Sequence, residues 1–474
     1  MVVIWMERVG ILVVSYGSRA AAIIDAFVRS EEYATEIYVV DKQKNPFNVK
    51  TAKRHAVISD FNLKEILRFA KRHEERIDFG IVGPEKPIIA GVRDLIEKET
   101  RIRIICPTKR YAIEGSKVAQ RQLFQKVAPE VNPKFKVFDP KDYGSVGQVK
   151  KSVYAWLKEL NNKVAVKPDR ATAGKGVGVW GDHLNTPEEV FEHFLSNYEH
   201  GPVIIEEKVQ GEESSFQTFC DGKRLIPLPE TRDYKRAFDN DKGPNTGGMG
   251  SYKDAADILP FMNSRDREKE IELINKVFRE LKGKGSNPEL RGIPFYAAFI
   301  HTDKGPKILE NNSRPGDPEI MNLMPILKDD FVEVCYNMLD GNLRKVNFRK
   351  EATVVTYKVP PNYGGYATVF PERVDKAEVD TAVDLTRAQK LVKERGDSIR
   401  VYPGSMELRA GENYALGSRT VCIVGIGEDI QEARESSLEG IGAIKGGALW
   451  HRNDIAAKEH IEKSVRHMKK LRRR

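Results

Sequence analysis

Glu310, Asn312 and Arg314 stand at alternate positions within ILENNSRPGDPE, 308 to 319. On a strand, side chains two apart project from one face, so a carboxylate and an amide oxygen can take adjacent places on a single hard cation. A guanidinium next in that row can hold phosphate or carboxylate oxygens beside the metal. The chain then turns at Pro315 and Gly316 and offers two more acids, Asp317 and Glu319. Taken alone, the trio also fits an edge strand running into an acidic turn.

Three other segments carry chemistry of a compatible kind. In VAVKPDRATAGKGVGVW, 164 to 180, an apolar strand delivers Lys167. Gly174, Lys175 and Gly176 then let backbone N–H groups approach phosphate oxygens without a side chain in the way. The spacing G-x-x-x-x-G-K-[ST] is absent, so the segment reads as a glycine loop joining two strands or as an ordinary hairpin turn. VIIEEKVQGEES, 203 to 214, ends a strand in acids. Backbone groups around Glu207 and Val209 can pair with a purine edge, Glu206 can assist, and Glu213 can accept from ribose hydroxyls; a solvated acidic strand end has the same composition. TRDYKRAFDNDKGPNTGGMGSY, 231 to 252, is too polar and too rich in glycine for a core. Its glycines at 247, 248 and 250 permit close approach to a ligand, and Asp233, Lys235 and Arg236 bring charge suited to a phosphorylated amine. A disordered surface loop is the plain alternative.

Elements able to position these residues are visible in the periodicity. VGILVVSYGSRAAAIIDAFV, from Val9, passes from an apolar run through Gly17 into a helical rhythm, and IYVVD, IDFGIVGPE and IRIICP continue a strand–helix alternation. That pattern predicts a parallel α/β domain over 1–108. Asp41 lies downstream of Gly17, yet G-x-G-x-x-G is missing, which argues against a dinucleotide site. A second region, 109–343, mixes short strands, glycine loops and helices, with a nucleotide lid over about 118–205. A small α+β domain with a basic tail is expected over 344–474.

The bulk properties set limits. A chain of 474 residues with 40% apolar content is long enough for several packed units. No apolar run approaches the ~20 residues of a spanning helix, so a soluble, cytoplasmic protein is expected. Four scattered cysteines have neither zinc nor disulfide spacing and read as buried thiols. The formal charge of +9 is concentrated at the end: KSVRHMKKLRRR holds seven Lys or Arg and no acid, which leaves +2 for the body. Contact with nucleic acid, if any, belongs to that tail. A charged fraction of 31%, above the ~25% norm, fits a solvated or heat-adapted exterior.

In this order the segments resemble the ATP-grasp ligases, most closely the phosphoribosylamine–glycine ligase family. The carriers are VGPE at 82, EGSK at 114, AGKGV at 173, EE followed by GEES, DYKR, GPNTGGMG at 243, EN-N-S-R-PGDPE and WHRNDI at 450. The resemblance implies an N-terminal parallel α/β domain, an ATP-grasp domain and a small C-terminal α+β domain. It implies that Lys117, Lys167 and the loop 174–176 hold the phosphates of ATP, that Glu206 to Val209 with Glu213 hold the nucleoside, and that Glu310 and Asn312 bind Mg²⁺ or Mn²⁺. Arg314 and Lys175 would act in catalysis. Gly17, Arg19, Glu85, Asp233, Lys235, Asn245, Thr246, Gly247, Gly248, Met249, Asp317 and Glu319 would meet glycine and phosphoribosylamine. Glycine would be activated as glycyl phosphate, giving glycinamide ribonucleotide, ADP and phosphate in purine synthesis, and the protein would act as a monomer.

The sequence departs from the family at several points. SYGSRAAAI keeps Gly17 and Arg19 but has Ser18 where a second glycine is usual and Ala20 and Ala21 where Glu and His are, Tyr234 replaces a His, and Pro315 an aromatic. Many ATP-grasp enzymes carry an acid on the strand before Glu310, whereas FYAAFIHTD has none until Asp303. Because the first turn is expected to face the amine, a ligase with another amine acceptor is the second reading. A non-catalytic nucleotide-binding regulator is the third.

Overall fold

The computed structural model describes residues 6–170 and 176–473. Five parallel strands open the chain: β1 (Glu7–Val14), β2 (Tyr33–Asp41), β3 (Arg54–Val57), β4 (Phe79–Val82) and β5 (Arg103–Ile105), ordered β3-β2-β1-β4-β5. The centres of β1 and β4 are apolar without alternation, as strands covered on both faces must be. Strand order reverses between β1 and β4, and a crevice opens there at the carboxyl ends. Gly17, with φ of 68°, turns the chain out of β1 into helix α1 (Gly17–Val28).

Four antiparallel strands form the next sheet: β6 (Phe135–Phe138), β7 (Val164–Pro168), β8 (Gly178–Val179) and β9 (Val203–Glu207), in the order β6-β9-β7-β8. Helices Val146–Glu159 and Pro187–Tyr198 cover it through a core that includes Val153, Phe194 and Ile205. There follow β10 (Glu212–Asp221), β11 (Leu225–Pro227), β12 (Arg232–Asp233), the hairpin β13 (Arg236–Phe238) and β14 (Lys242–Asn245), β15 (Gly250–Lys253), β16 (Arg291–Thr302) and β17 (Gly305–Asn312). Of these, β11-β10-β16-β17 make a second antiparallel sheet.

The last strands are β18 (Ala352–Lys358), β19 (Ile399–Pro403), the hairpin β20 (Met406–Arg409) and β21 (Glu412–Ala415), and β22 (Val421–Gly427). Their sheet runs β12-β15-β18-β22-β19, so β15 hydrogen-bonds to β18 across the boundary expected at 343. One apolar core joins α1, the helix Phe331–Asp340 and the C-terminal sheet, with Phe27 stacked on Phe331 at 4.7 Å. All four cysteines are buried and free. No helix among the described residues is long and apolar enough to cross a membrane.

The basic tail is in large part a docked helix, Lys458–Leu471. Its buried side carries Ser464 and Met468, His467 meets Glu212 at 2.6 Å, and Arg472 meets Asp266 at 2.5 Å.

Candidate active site

A cavity of about 180 Å³ lies at the crevice beside β1 and β4. Tyr16 and Arg19 follow β1, Glu85 follows β4, and Glu310 and Asn312 come from β17 with Arg314 just beyond it. Glu310 and Asn312 face the cavity together, as their spacing predicts. The pairing slips by one residue near Glu310, so that Ala298 opposes Glu310 while Phe299 opposes Ile308. Such a bulge turns side chains and carbonyls out of the regular ladder. Arg121 uses the released groups, donating from Nη1 to Ile308 O at 2.9 Å and from Nη2 to Leu309 O at 2.8 Å.

Glu310 is an anion among cations. Burial opposes its charge, but Lys235, Lys117 and Lys167 outweigh burial and hold its carboxyl below the usual range. The Asn312 amide donates to Glu310 Oε1 at 3.3 Å. Two hard oxygen donors on one strand face suit a cation that keeps waters and takes phosphate oxygens as further ligands. No cluster of three or more His, Cys, Asp or Glu with ligand spacing occurs among the described residues.

Arg314 is gripped by Glu114 at 3.0 Å and Glu85 at 3.6 Å. Arg19 is buried, donates from Nη1 to Pro315 O at 3.3 Å, and has no partner among the described residues for Nε. Ser15 Oγ beside it is also unpartnered, and the start of α1 has no side-chain cap. A cation and free donors at one helix start form a seat for an anion. On the opposite wall Asp233, Lys235, Thr246, Gly247, Asp317 and Glu319 face inward. Burial pushes the Asp233 carboxyl well up, and the neighbouring Glu319 adds to the shift.

Several residues expected at the site are spent elsewhere. Glu206 is almost fully buried, accepts from Arg121 Nε at 2.7 Å and pairs with Lys167, so its carboxylate is not free for a nucleoside. Its burial favours the neutral form, yet Arg121 and Lys167 hold its pKa down. Glu207 takes Lys307 at 3.0 Å, and Glu213 takes Lys235 at 2.6 Å. The Val209 N–H has no acceptor among the described residues and lies in the connection between β9 and β10. Met249 is fully buried in the main apolar core, where it packs rather than meets a ligand. Gly17, Asn245, Gly248 and Gly176 do not line the cavity, whereas Val177, next to Gly176, does. Gly174 and Lys175 lie outside the described residues.

The departures in the first turn have a structural cause. Ala20 and Ala21 are fully buried on α1, Ala21 within the shared core, and Ser18 donates to Tyr402 O at 2.9 Å. These side chains serve the junction with the C-terminal sheet. Tyr234 likewise faces Arg452 and accepts from Ala456 N at 3.0 Å. The Arg of WHRNDI is a strut: Arg452 reaches Asp454 at 2.7 Å, Asp241 at 3.0 Å and Arg236 O at 2.9 Å.

Sequence reasoning missed Arg419, Tyr16, Gln120 and Tyr296, all of which line the cavity. Arg419 donates to Gly247 O at 2.6 Å, pairs with Asp317 at 2.8 Å and lies over the Tyr357 ring at 4.9 Å. Its one local signal is a charge placed just before the buried strand β22.

The fold and this cavity define an ATP-grasp protein. Residues 133–320 match the family model described as phosphoribosylglycinamide synthetase, ATP-grasp (A) domain, and residues 9–114 match the N domain of the same synthetase. The chain belongs to the phosphoribosylamine–glycine ligase family. It is 36% identical over 465 residues to the phosphoribosylamine–glycine ligase of Methanocella arvoryzae, covering 98% of this chain and 99% of that one. It is also 36% identical to that of Pyrococcus furiosus over 468 residues, covering 98% of both. Among solved structures, the phosphoribosylamine–glycine ligase of Thermotoga maritima gives a TM-score of 0.71 at 23% identity, covering 94% of this chain and 100% of that one. The biotin carboxylase domain of the Hydrogenobacter thermophilus 2-oxoglutarate carboxylase, in complex with MgADP, gives 0.66 at 16% identity, covering 97% and 93%. At those identities the two structures speak for the fold alone.

Proposed function

We propose that this chain joins glycine to phosphoribosylamine at the expense of ATP, through glycyl phosphate, and releases glycinamide ribonucleotide, ADP and phosphate. The observation that carries the reading is a single cavity uniting Glu310 and Asn312, the Arg314 clamp and Arg19, whose Nε has no partner among the described residues, with the carboxylates Asp233 and Glu319. Among the described residues, nothing in its wall is a nucleophile held by a base. Catalysis of this kind depends on positioning and charge. Lys117 and Lys167 neutralise phosphate oxygens. The backbone at Val209 meets adenine. Arg314 stabilises the phosphoryl group in flight, and Asp317 and Glu319 orient the amine-bearing substrate. Glu310 and Asn312 hold Mg²⁺, which when bound draws charge from the phosphates of ATP. Arg19 and the start of α1 seat the 5-phosphate of the amine substrate. The protein works in the cytoplasm as a monomer of three parts, with boundaries near 108 and 343.

Purified protein given ATP, Mg²⁺, glycine and freshly generated phosphoribosylamine will release ADP only when both substrates are present. ADP release with another amine instead would transfer the reading to a different acceptor, and ATP binding without turnover would overturn it.

A further inference from the structure

We propose that Asp233 is the general base of amide formation, a role that rests on the ligase reading above. When the amine nitrogen attacks the acyl carbon of glycyl phosphate, the C–N bond forms and the C–O bond to phosphate breaks, the phosphate leaving with the electron pair. The nitrogen must also lose a proton. Asp233 takes it.

Elimination among the carboxylates lining the cavity leads to this residue. Glu85 and Glu114 are committed to Arg314, and Glu310 is held by Asn312 among lysines. Asp317 is saturated, pairing with Arg419 at 2.8 Å and accepting from Tyr357 at 3.2 Å. A carboxylate so supplied with cations is a weak base. Glu319 accepts from Ser215 Oγ at 3.0 Å, and Ser215 in turn lies 3.1 Å from Tyr296 Oη. Asp233 differs: among the described residues neither of its carboxylate oxygens has a hydrogen-bond donor or an ion-pair partner, and Oδ1 is sealed from solvent.

That oxygen is packed beneath Gly248, so Oδ2 is the carboxylate oxygen left to the cavity that Asp233 lines. Gly248 has φ of 101°, and a Cβ there would come within 2.6 Å of Asp233 Oδ1 and 2.7 Å of Pro318 Cδ. The charged groups that face Asp233 are Glu319, Lys235, Arg419 and Glu213. Burial and then Glu319 raise its proton affinity, while Lys235 and Arg419 oppose them. The result is a pair of carboxylates with separate roles. Glu319 is fixed by a hydroxyl, and Asp233, whose Oδ2 has no donor among the described residues, accepts the proton.

The test compares two rates in the full-length protein. Hydroxylamine, weakly basic and free of any need for a protein base, traps glycyl phosphate as the hydroxamate and so reports phosphoryl transfer alone. In Asp233→Asn, ligation to phosphoribosylamine falls by about 10²- to 10⁴-fold, while hydroxamate formation falls by less than about tenfold. Asp233→Glu recovers part of the ligation rate, and the acid limb of the wild-type kcat profile disappears in Asp233→Asn. Equal loss of both rates, or ligation within about threefold of wild type, would overturn the assignment. Failure of the ligase reading looks different: the wild type itself would release no ADP in response to glycine.

Discussion

Glu310 sits in a field of three lysines, and that setting fixes what its loss should do. Glu310→Gln keeps the shape but removes the charge that a divalent cation needs, and kcat should drop on the order of 10³-fold at saturating Mg²⁺. Steady-state ADP release measures it, and unchanged turnover would dismiss the metal seat. Arg121 gives a second test at this scale. Glu206 has a depressed folded-state pKa, so its pairing contributes stability that is full above about pH 4.3 and fades as pH falls through the folded value. Arg121→Leu leaves the buried Glu206 carboxylate stranded with Lys167 as its one remaining cation and should cost on the order of 3 kcal/mol at pH 7. Protonating Glu206 removes the stranded charge, so the difference from wild type, read by urea unfolding, should shrink toward pH 4. Glu310, Asn312 and Arg314 were legible because a strand makes alternate residues neighbours. Arg419 was not, because its contact with Asp317 spans about a hundred residues of chain and depends on how two sheets meet.

At the scale of elements, β13 and β14 form a hairpin held by side chains that come from the end of the chain. Arg452 pins it through Asp241 and Arg236 O, Asn453 N donates to Asp239 at 2.9 Å, and Phe238 lies beside Trp450. Arg452→Met should leave Asp241 and Asp454 without their buried partner and speed amide hydrogen exchange across 236–245 while the β1–β5 sheet stays protected. Uniform loss of protection would mean that the strut supports the whole fold. The strands themselves could be read from apolar runs, and the helices from their rhythm. The pairing of β15 with β18 could not, since strand partners in different segments are set by packing rather than by local propensity.

Taken whole, the molecule gathers its cavity wall from every part of the chain: Arg19 and Glu85 near the start, Val177 in the β6–β9 unit, Glu310 in β17 and Arg419 near the end. A ligand bound in such a place favours the assembled state over the unfolded one. MgATP at about 100 times its Kd should add roughly 2.7 kcal/mol, seen as a higher Tm in differential scanning calorimetry, and the gain should vanish in Glu310→Gln.

The packing of α1 on the C-terminal strands also governs which pieces of this protein can be exchanged. Ala21 packs into a core shared with Tyr402 and Cys422, nearly four hundred residues later, and Ser18 is bonded to Tyr402 there. A chimera that takes its N-terminal unit from a relative with bulkier polar residues in the first turn would arrive without the matching socket. Such a hybrid should assemble only when the C-terminal unit comes from the same parent, so the two ends of the chain are inherited as one piece.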